Sequence, residues 1–145
     1  EYFARLRTLV RPGGRVVNHG ISRPPGHGAR LPRRSFMNRY VFPDGELHEA
    51  GRVVSVMQDA GFEVRHVESL REHYGLTLRR WVANLEAAWD AAVEEAGEAR
   101  ARVWRLYMAG SAVNFEAGRT DIHQILGVPR SDDGTSGMPL RPVFQ

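Results

Sequence analysis

Two side chains stand in settings where they could do chemistry, His19 and Ser111. His19 lies late in Arg15-Val16-Val17-Asn18-His19-Gly20-Ile21, a β-branched run that predicts a short strand. The imidazole then falls at the strand's carboxyl end, the edge at which open α/β sheets bind ligands. A nucleophilic Ser111 would need a base and an oxyanion hole, but Ala109-Gly110-Ser111-Ala112 reads as mid-helix and not as a nucleophile elbow. Small residues there also permit close helix packing. The six His invite a metal, yet none pair four apart around a Glu and no Cys completes a tetrahedron, so no metal site is expected.

The elements that must position these groups follow from apolar spacing. Residues 2–10 place Tyr2/Phe3, Leu6 and Leu9/Val10 on one helical face, and Pro12-Gly13-Gly14 then turns the chain into the His19 strand. Residues 22–35, rich in Pro, Gly and Arg, predict a surface loop placed to act as a lid. Phe36 to Pro43 carries aromatics on both parities and runs into the turn Pro43-Asp44-Gly45. From Leu47, the series Val53/Val54, Met57 and Ala60 is helical and stops at Gly61, and Phe62–Val67 is the next strand.

Two helical patterns follow, Leu78 to Gly97 and Val103 to Gly118, then a last strand over Asp121–Val128. Helices alternating with strands predict an α/β sheet protein. Residues 129–145, rich in Pro, Gly, Ser and Asp, are expected to form a disordered tail.

The chain has 145 residues, enough for one core, and no apolar run approaches the roughly 20 residues of a membrane-spanning helix. The absence of Cys removes disulfides and thiolate chemistry and fits a cytoplasmic protein. All 20 basic residues are Arg, which is most simply a codon-composition effect. Residues 1–40 hold nine Arg against Glu1 alone, a net of +8, so this end is suited to an anionic partner. A nucleic-acid reading would use Arg30, Arg33, Arg34 and Arg39 with Phe36 and Tyr40, but a basic loop on an enzyme needs fewer assumptions. No nucleic acid is therefore expected. The sequence starts at Glu1 within a helical pattern, so it is read as part of a longer domain.

Leu9-Val10-Arg11-Pro12-Gly13-Gly14-Arg15-Val16-Val17 and Ala60-Gly61-Phe62-Glu63-Val64 resemble the late helix–turn–strand segments of class I S-adenosylmethionine-dependent methyltransferases. A more telling ordered set starts with Tyr40-Val41-Phe42-Pro43-Asp44-Gly45-Glu46-Leu47 and His73-Tyr74-Gly75-Leu76-Thr77-Leu78-Arg79-Arg80-Trp81. It continues through Trp104-Arg105-Leu106-Tyr107-Met108-Ala109-Gly110, Phe115, Gly118 and Gln124. In that order these segments resemble the C-terminal half of the cyclopropane-fatty-acyl-phospholipid synthase and mycolic acid cyclopropane synthase family, from residue 2 to about residue 128.

The resemblance implies a Rossmann-like methyltransferase half-domain with a helical insertion over 1–128. It also implies methyl transfer from S-adenosylmethionine to a cis double bond of a lipid acyl chain, the resulting cation losing a proton as a cyclopropane closes. In the family the base resembles a bound bicarbonate. His19-Gly20-Ile21 matches its His-x-Ile stretch and Tyr74 its Tyr, so His19, the Ile21 amide and the Tyr74 hydroxyl are the expected anion donors. Ser111 stands where many members have Cys.

The family's anion-binding Glu and glycine-rich cofactor loop are expected outside these residues, so none here is assigned to the cofactor, and the chain alone is expected to be inactive. The implied partner is an unsaturated phospholipid or carrier-bound acyl chain, with Arg30, Arg33 and Arg34 meeting its phosphate or an acidic carrier. Peripheral contact with an anionic inner membrane surface is compatible with that charge. A methyl-branched product, an amine acceptor and a non-catalytic half-domain that docks a partner are the competing readings.

Overall fold

The computed structural model describes residues 1–26 and 32–141. Arg30, one of the three arginines expected at the substrate's anionic group, lies outside the described residues. The elements are α1 (Tyr2–Leu9), β1 (Val16–Ser22), α2 (Phe36–Tyr40), α3 (Ala50–Asp59), β2 (Phe62–Ser69), α4 (Arg71–Ala87), α5 (Trp89–Ala96), α6 (Glu98–Glu116) and β3 (Asp121–Pro129). Among the described residues the strands form one sheet in the order β1-β3-β2, with β2 and β3 antiparallel. The register runs from Phe62 opposite Pro129 to Ser69 opposite His123 and slips once between Val64 and His66. Arg65 is the extra residue of that bulge, and its guanidinium bonds Glu63 at 2.6 Å and the Pro139 carbonyl at 3.3 Å.

The chain divides into two compact units, one formed by Glu1–Gly20, Glu49–Ser69 and His123–Gln145, the other by Ile21–His48 and Leu70–Ile122. In the first, Phe3, Met57, Phe62 and Ile125 are buried together, with Leu6, Val16, Val53 and Val64 packed around them. The apolar stripe of α3 supplies Met57, and the helix ends at Ala60 because Gly61 adopts φ +88, a left-handed conformation that glycine takes without steric cost. The Arg130 amide then bonds the Gly61 carbonyl at 3.3 Å, and Arg7 reaches the Arg130 carbonyl at 3.5 Å.

In the second unit, Leu78, Ala112, Phe115 and Ile122 form the core, with Ile21, Leu70, Tyr74 and Met108 packed against it. The helix carrying Tyr74 begins at Arg71, seven residues before the apolar periodicity becomes legible at Leu78. Its first turn is held from outside the helix: the Arg71 guanidinium donates to the Phe115 carbonyl at 2.6 Å and to the Glu116 carbonyl at 3.2 Å, the last two carbonyls of α6. The pattern from Leu78 to Gly97 is two helices, not one. Ala88, at φ −113 and ψ 33, ends α4 and opens α5, inside an Ala-rich stretch with no Gly or Pro to announce a break.

Phe36–Tyr40 forms a short helix whose N-cap, Ser35, accepts from the Asn38 amide at 3.2 Å. The turn expected at Pro43-Asp44-Gly45 is present, with Asp44 at φ +58. Among the described residues no helix is long and apolar enough to cross a membrane.

Gly127 on β3 sits against the first core: a Cβ there would meet Met57 Cε at 2.7 Å and Phe62 Cβ at 3.4 Å, and neither residue has exposed surface. Gly127→Ala is therefore expected to destabilise by about 1–3 kcal/mol through overpacking, and Phe62→Ala by roughly 3–5 kcal/mol through cavity formation. Denaturant melts of the two variants against the parent check both values.

Candidate functional site

Within the second unit a cavity of about 370 Å³ has walls formed by Ile21, Met37, Phe42, Leu47, Tyr107 and Phe115. These side chains are apolar or aromatic, and the lining is completed by Gly45 and by the polar residues Glu46, Ser111, Asn114 and Thr120. Helical spacing explains the α6 contribution: Tyr107, Ser111 and Phe115 are four residues apart in turn and share one face. β1 brings Ile21, while α2 and the turn after it bring Met37 and Phe42.

Aromatic contacts fix the walls. The Tyr107 ring meets Phe42 edge-to-face at 5.6 Å and 83°, and Trp104 at 5.3 Å and 81°. Behind Phe115 lies Tyr74, whose ring packs on it at 4.9 Å and also on Trp81 at 5.8 Å. Such pairs add about 0.5–1.5 kcal/mol each beyond the area they bury. Asn114 is engaged elsewhere, its Oδ1 accepting from Arg119 Nε at 2.9 Å.

The electrostatics of this wall keep its phenols neutral. Burial raises Tyr74 above the ordinary phenol value. Burial also raises Tyr107, with the nearby Tyr74 adding to the rise and hydrogen bonding from Ser111 opposing it. Both phenols are therefore hydrogen-bond donors throughout the neutral range. Below the cavity, Glu116 is held under the usual carboxylate range by its hydrogen bonds to Arg79, at 2.5 and 2.6 Å.

Of the positions singled out from sequence, Ile21 and Ser111 both line this cavity, and Tyr74 stands one ring behind it. His19 belongs to the first unit, on β1 two residues before Ile21, with its side chain exposed. Arg33 and Arg34 are exposed on the segment before α2. The aromatic residues considered for nucleic acid are engaged with their neighbours: Phe36 and Tyr40 lie 5.6 Å apart, and Arg39 sits 5.3 Å over the Tyr40 ring. Among the described residues no group of three or more His, Asp or Glu could hold a metal.

Reasoning from residue types alone passes over Tyr107 and Phe42 as cavity residues. The signal for Tyr107 is its spacing of four from Ser111 and four more to Phe115. Phe42 has no such signal, because it reaches the wall only through the turn at Pro43-Asp44-Gly45.

The tyrosines give a pH signature. Their folded pKa values are raised, so the stability they contribute is fully present below about pH 10, the unfolded phenol value, and is lost as pH rises through the folded values. Tyr107→Phe is expected to lose less stability than the parent between neutral pH and the alkaline range, and absorbance of the ionised phenol should show two groups titrating late. Thermal melts across pH and a spectrophotometric titration check this.

The sequence matches the family model described as mycolic acid cyclopropane synthetase over residues 1–125. It is 43% identical over 144 residues to a probable fatty acid methyltransferase of Mycobacterium tuberculosis, covering 99% of this chain and 34% of the relative. It is 44% identical to a probable fatty acid methyltransferase of Pseudomonas putida, covering 95% of this chain and 36% of the relative. The chain thus spans about a third of the length of these curated relatives. Among solved structures, the mycolic acid cyclopropane synthase CmaA1 complexed with SAH and CTAB superposes with a TM-score of 0.74 at 26% identity, over 87% of this chain and 48% of that one. The cyclopropane synthase MmaA2 of Mycobacterium tuberculosis has the same fold, at a TM-score of 0.73 over 87% of this chain and 48% of that one, with 23% identity. With a cavity walled by Ile21, Phe42, Tyr107 and Phe115 and a family match running through all but the last of its elements in full, the chain belongs to the mycolic acid cyclopropane synthetase family.

Proposed function

We propose that the protein carrying this chain methylates the double bond of an unsaturated lipid acyl chain at the expense of S-adenosylmethionine, and that the cavity of the second unit receives the acyl segment. The observation that carries this reading is the cavity itself: a space of about 370 Å³ with apolar and aromatic walls, in a chain of this family, into which two positions marked by the family resemblance, Ile21 and Ser111, both face. Its mostly apolar walls favour hydrocarbon over any strongly hydrated substrate.

S-adenosylmethionine supplies the methyl group when bound; its pocket is assigned to none of these 145 residues. Bicarbonate, as the base for ring closure, is assigned to His19, the Ile21 amide and Tyr74. The donor chemistry fits that anion, since a phenol kept neutral by burial donates a hydrogen bond and adds no repelling charge. Tyr74 then has two tasks: it orients an acceptor and it backs Phe115 in the cavity wall. Ser111 offers a hydroxyl of similar volume to the thiol of many members, so no thiol chemistry is assigned to it.

The partner is an unsaturated phospholipid or a carrier-bound acyl chain, and the exposed Arg33 and Arg34 are positioned on their surface segment to meet its phosphate or an acidic carrier. With 20 Arg against 17 acidic residues, the protein is suited to a cytoplasmic place with peripheral contact at the inner membrane surface.

A second reading keeps the site and changes the product. Relatives with substantial identity are named fatty acid methyltransferases, and one, 35% identical over 129 residues, is named a tuberculostearic acid methyltransferase. These names favour a methylated chain as the alternative to a cyclopropane ring.

Lipid extracts of cells expressing the whole protein should gain a methylene mass on unsaturated chains, and fragmentation separates a ring from an exocyclic methylene or a methyl branch. No gain with S-adenosylmethionine shown to be bound would refute the reading. His19→Ala and Tyr74→Phe are each expected to lower turnover by at least about 100-fold, the size of a lost general-base or anion-orienting contribution. Near-normal rates in both variants would remove the bicarbonate assignment and leave the lipid reading standing.

A further inference from the structure

An apolar cavity by itself does not distinguish one acyl chain from another. Saturated and unsaturated chains of equal length present nearly the same surface and differ mainly at the double bond, whose π electrons accept a weak hydrogen bond. A wall that selects the unsaturated chain therefore needs one donor, placed among apolar neighbours and left with its proton available.

Tyr107 meets those requirements. It lines the cavity from α6, and its ring is held on two sides by edge-to-face contacts, with Phe42 at 5.6 Å and with Trp104 at 5.3 Å. A ring gripped in this way keeps its hydroxyl in one place at little entropic cost. Ser111, one turn further along α6, lines the same cavity. Neither Phe42 nor Trp104 carries an oxygen or nitrogen acceptor, so the phenol's proton is available to an occupant of the cavity. A saturated chain gives that proton no acceptor and leaves a half-buried donor unsatisfied; a double bond at the same depth accepts it.

We infer that Tyr107 is the residue that selects an unsaturated over a saturated acyl chain, by donating its hydroxyl proton to the π electrons of the double bond. The inference rests on the reading of the cavity as an acyl site, and it fixes where along the cavity the double bond lies.

The test is a comparison of affinities, independent of turnover. The whole protein is titrated with monomeric oleoyl and stearoyl lysophosphatidylglycerol, and the ratio of the two dissociation constants is measured for the parent, Tyr107→Phe and Ser111→Ala, each shown by melting to be folded. The parent is expected to favour the oleoyl chain by about threefold more than Tyr107→Phe does, the size of one weak π-accepting hydrogen bond, while Ser111→Ala, which keeps the phenol, is expected to retain the parent's ratio. An equal ratio in parent and Tyr107→Phe, with both lipids bound, overturns the role of Tyr107 and leaves the acyl reading intact. Binding of neither lipid by the folded parent overturns the acyl reading and this inference with it.

Discussion

The second unit depends on the burial of Phe115 where α4 crosses α6. The helices approach closely at Gly75, where a Cβ would lie 3.3 Å from Glu116 Cγ, relieved by a small shift of that exposed side chain, and in ordinary contact with Phe115 Cβ at 3.9 Å. With the helices that near, Phe115 is 2% exposed, packs beside Leu78, Ala112 and Ile122, and presents its ring to Tyr74 on one side and to the cavity on the other. Arg71 closes the arrangement by taking up the Phe115 and Glu116 carbonyls, and the Arg79–Glu116 pair joins the two helices at their surface. The exposed ion pair contributes little in water, so it is the apolar contact that holds the crossing.

From that crossing the properties of the cavity follow. Tyr107, Ser111 and Phe115 share a face of α6, so fixing Phe115 turns the other two toward the same space. Phe42 closes the wall from the turn after α2 by lying against Tyr107. The result is a space in which hydroxyls are few and both nearby phenols are neutral. Such a lining, apolar and aromatic apart from Glu46 and the hydroxyl and amide groups of Ser111, Asn114 and Thr120, offers dispersion contact to hydrocarbon.

The first unit shows a different use of the same residue types. Two of its arginines reach backbone carbonyls: Arg7 meets the Arg130 carbonyl, and Arg65, displaced from the ladder by the bulge, meets Glu63 and the Pro139 carbonyl. In the second unit Arg23 does likewise, with Nε 3.0 Å from the Leu47 carbonyl. An all-Arg composition therefore serves structure as well as charge, since the guanidinium fork can satisfy carbonyls that a lysine would meet with a single point charge.

Much of this was legible in the sequence, for physical reasons that differ by element. The strands at Val16 and Phe62 are β-branched or alternating runs bounded by Gly turns, and α3 ends at a glycine, so local sterics announce them. The family was legible because ordered motifs survive in segments such as Tyr40 to Leu47 and His73 to Trp81. The start of α4 at Arg71 was not legible, because it is held by carbonyls 44 and 45 residues away, and the break at Ala88 was not, because alanine is the strongest helix former and signals continuation. The sequence by itself determined which residues are able to donate, pack or turn. The tertiary structure alone decided that Ile21, Phe42, Tyr107 and Ser111 face one cavity with Tyr74 behind Phe115, since that depends on Leu78 of α4 packing against Ala112 and Phe115 of α6, residues far apart in the chain, and not on any local preference.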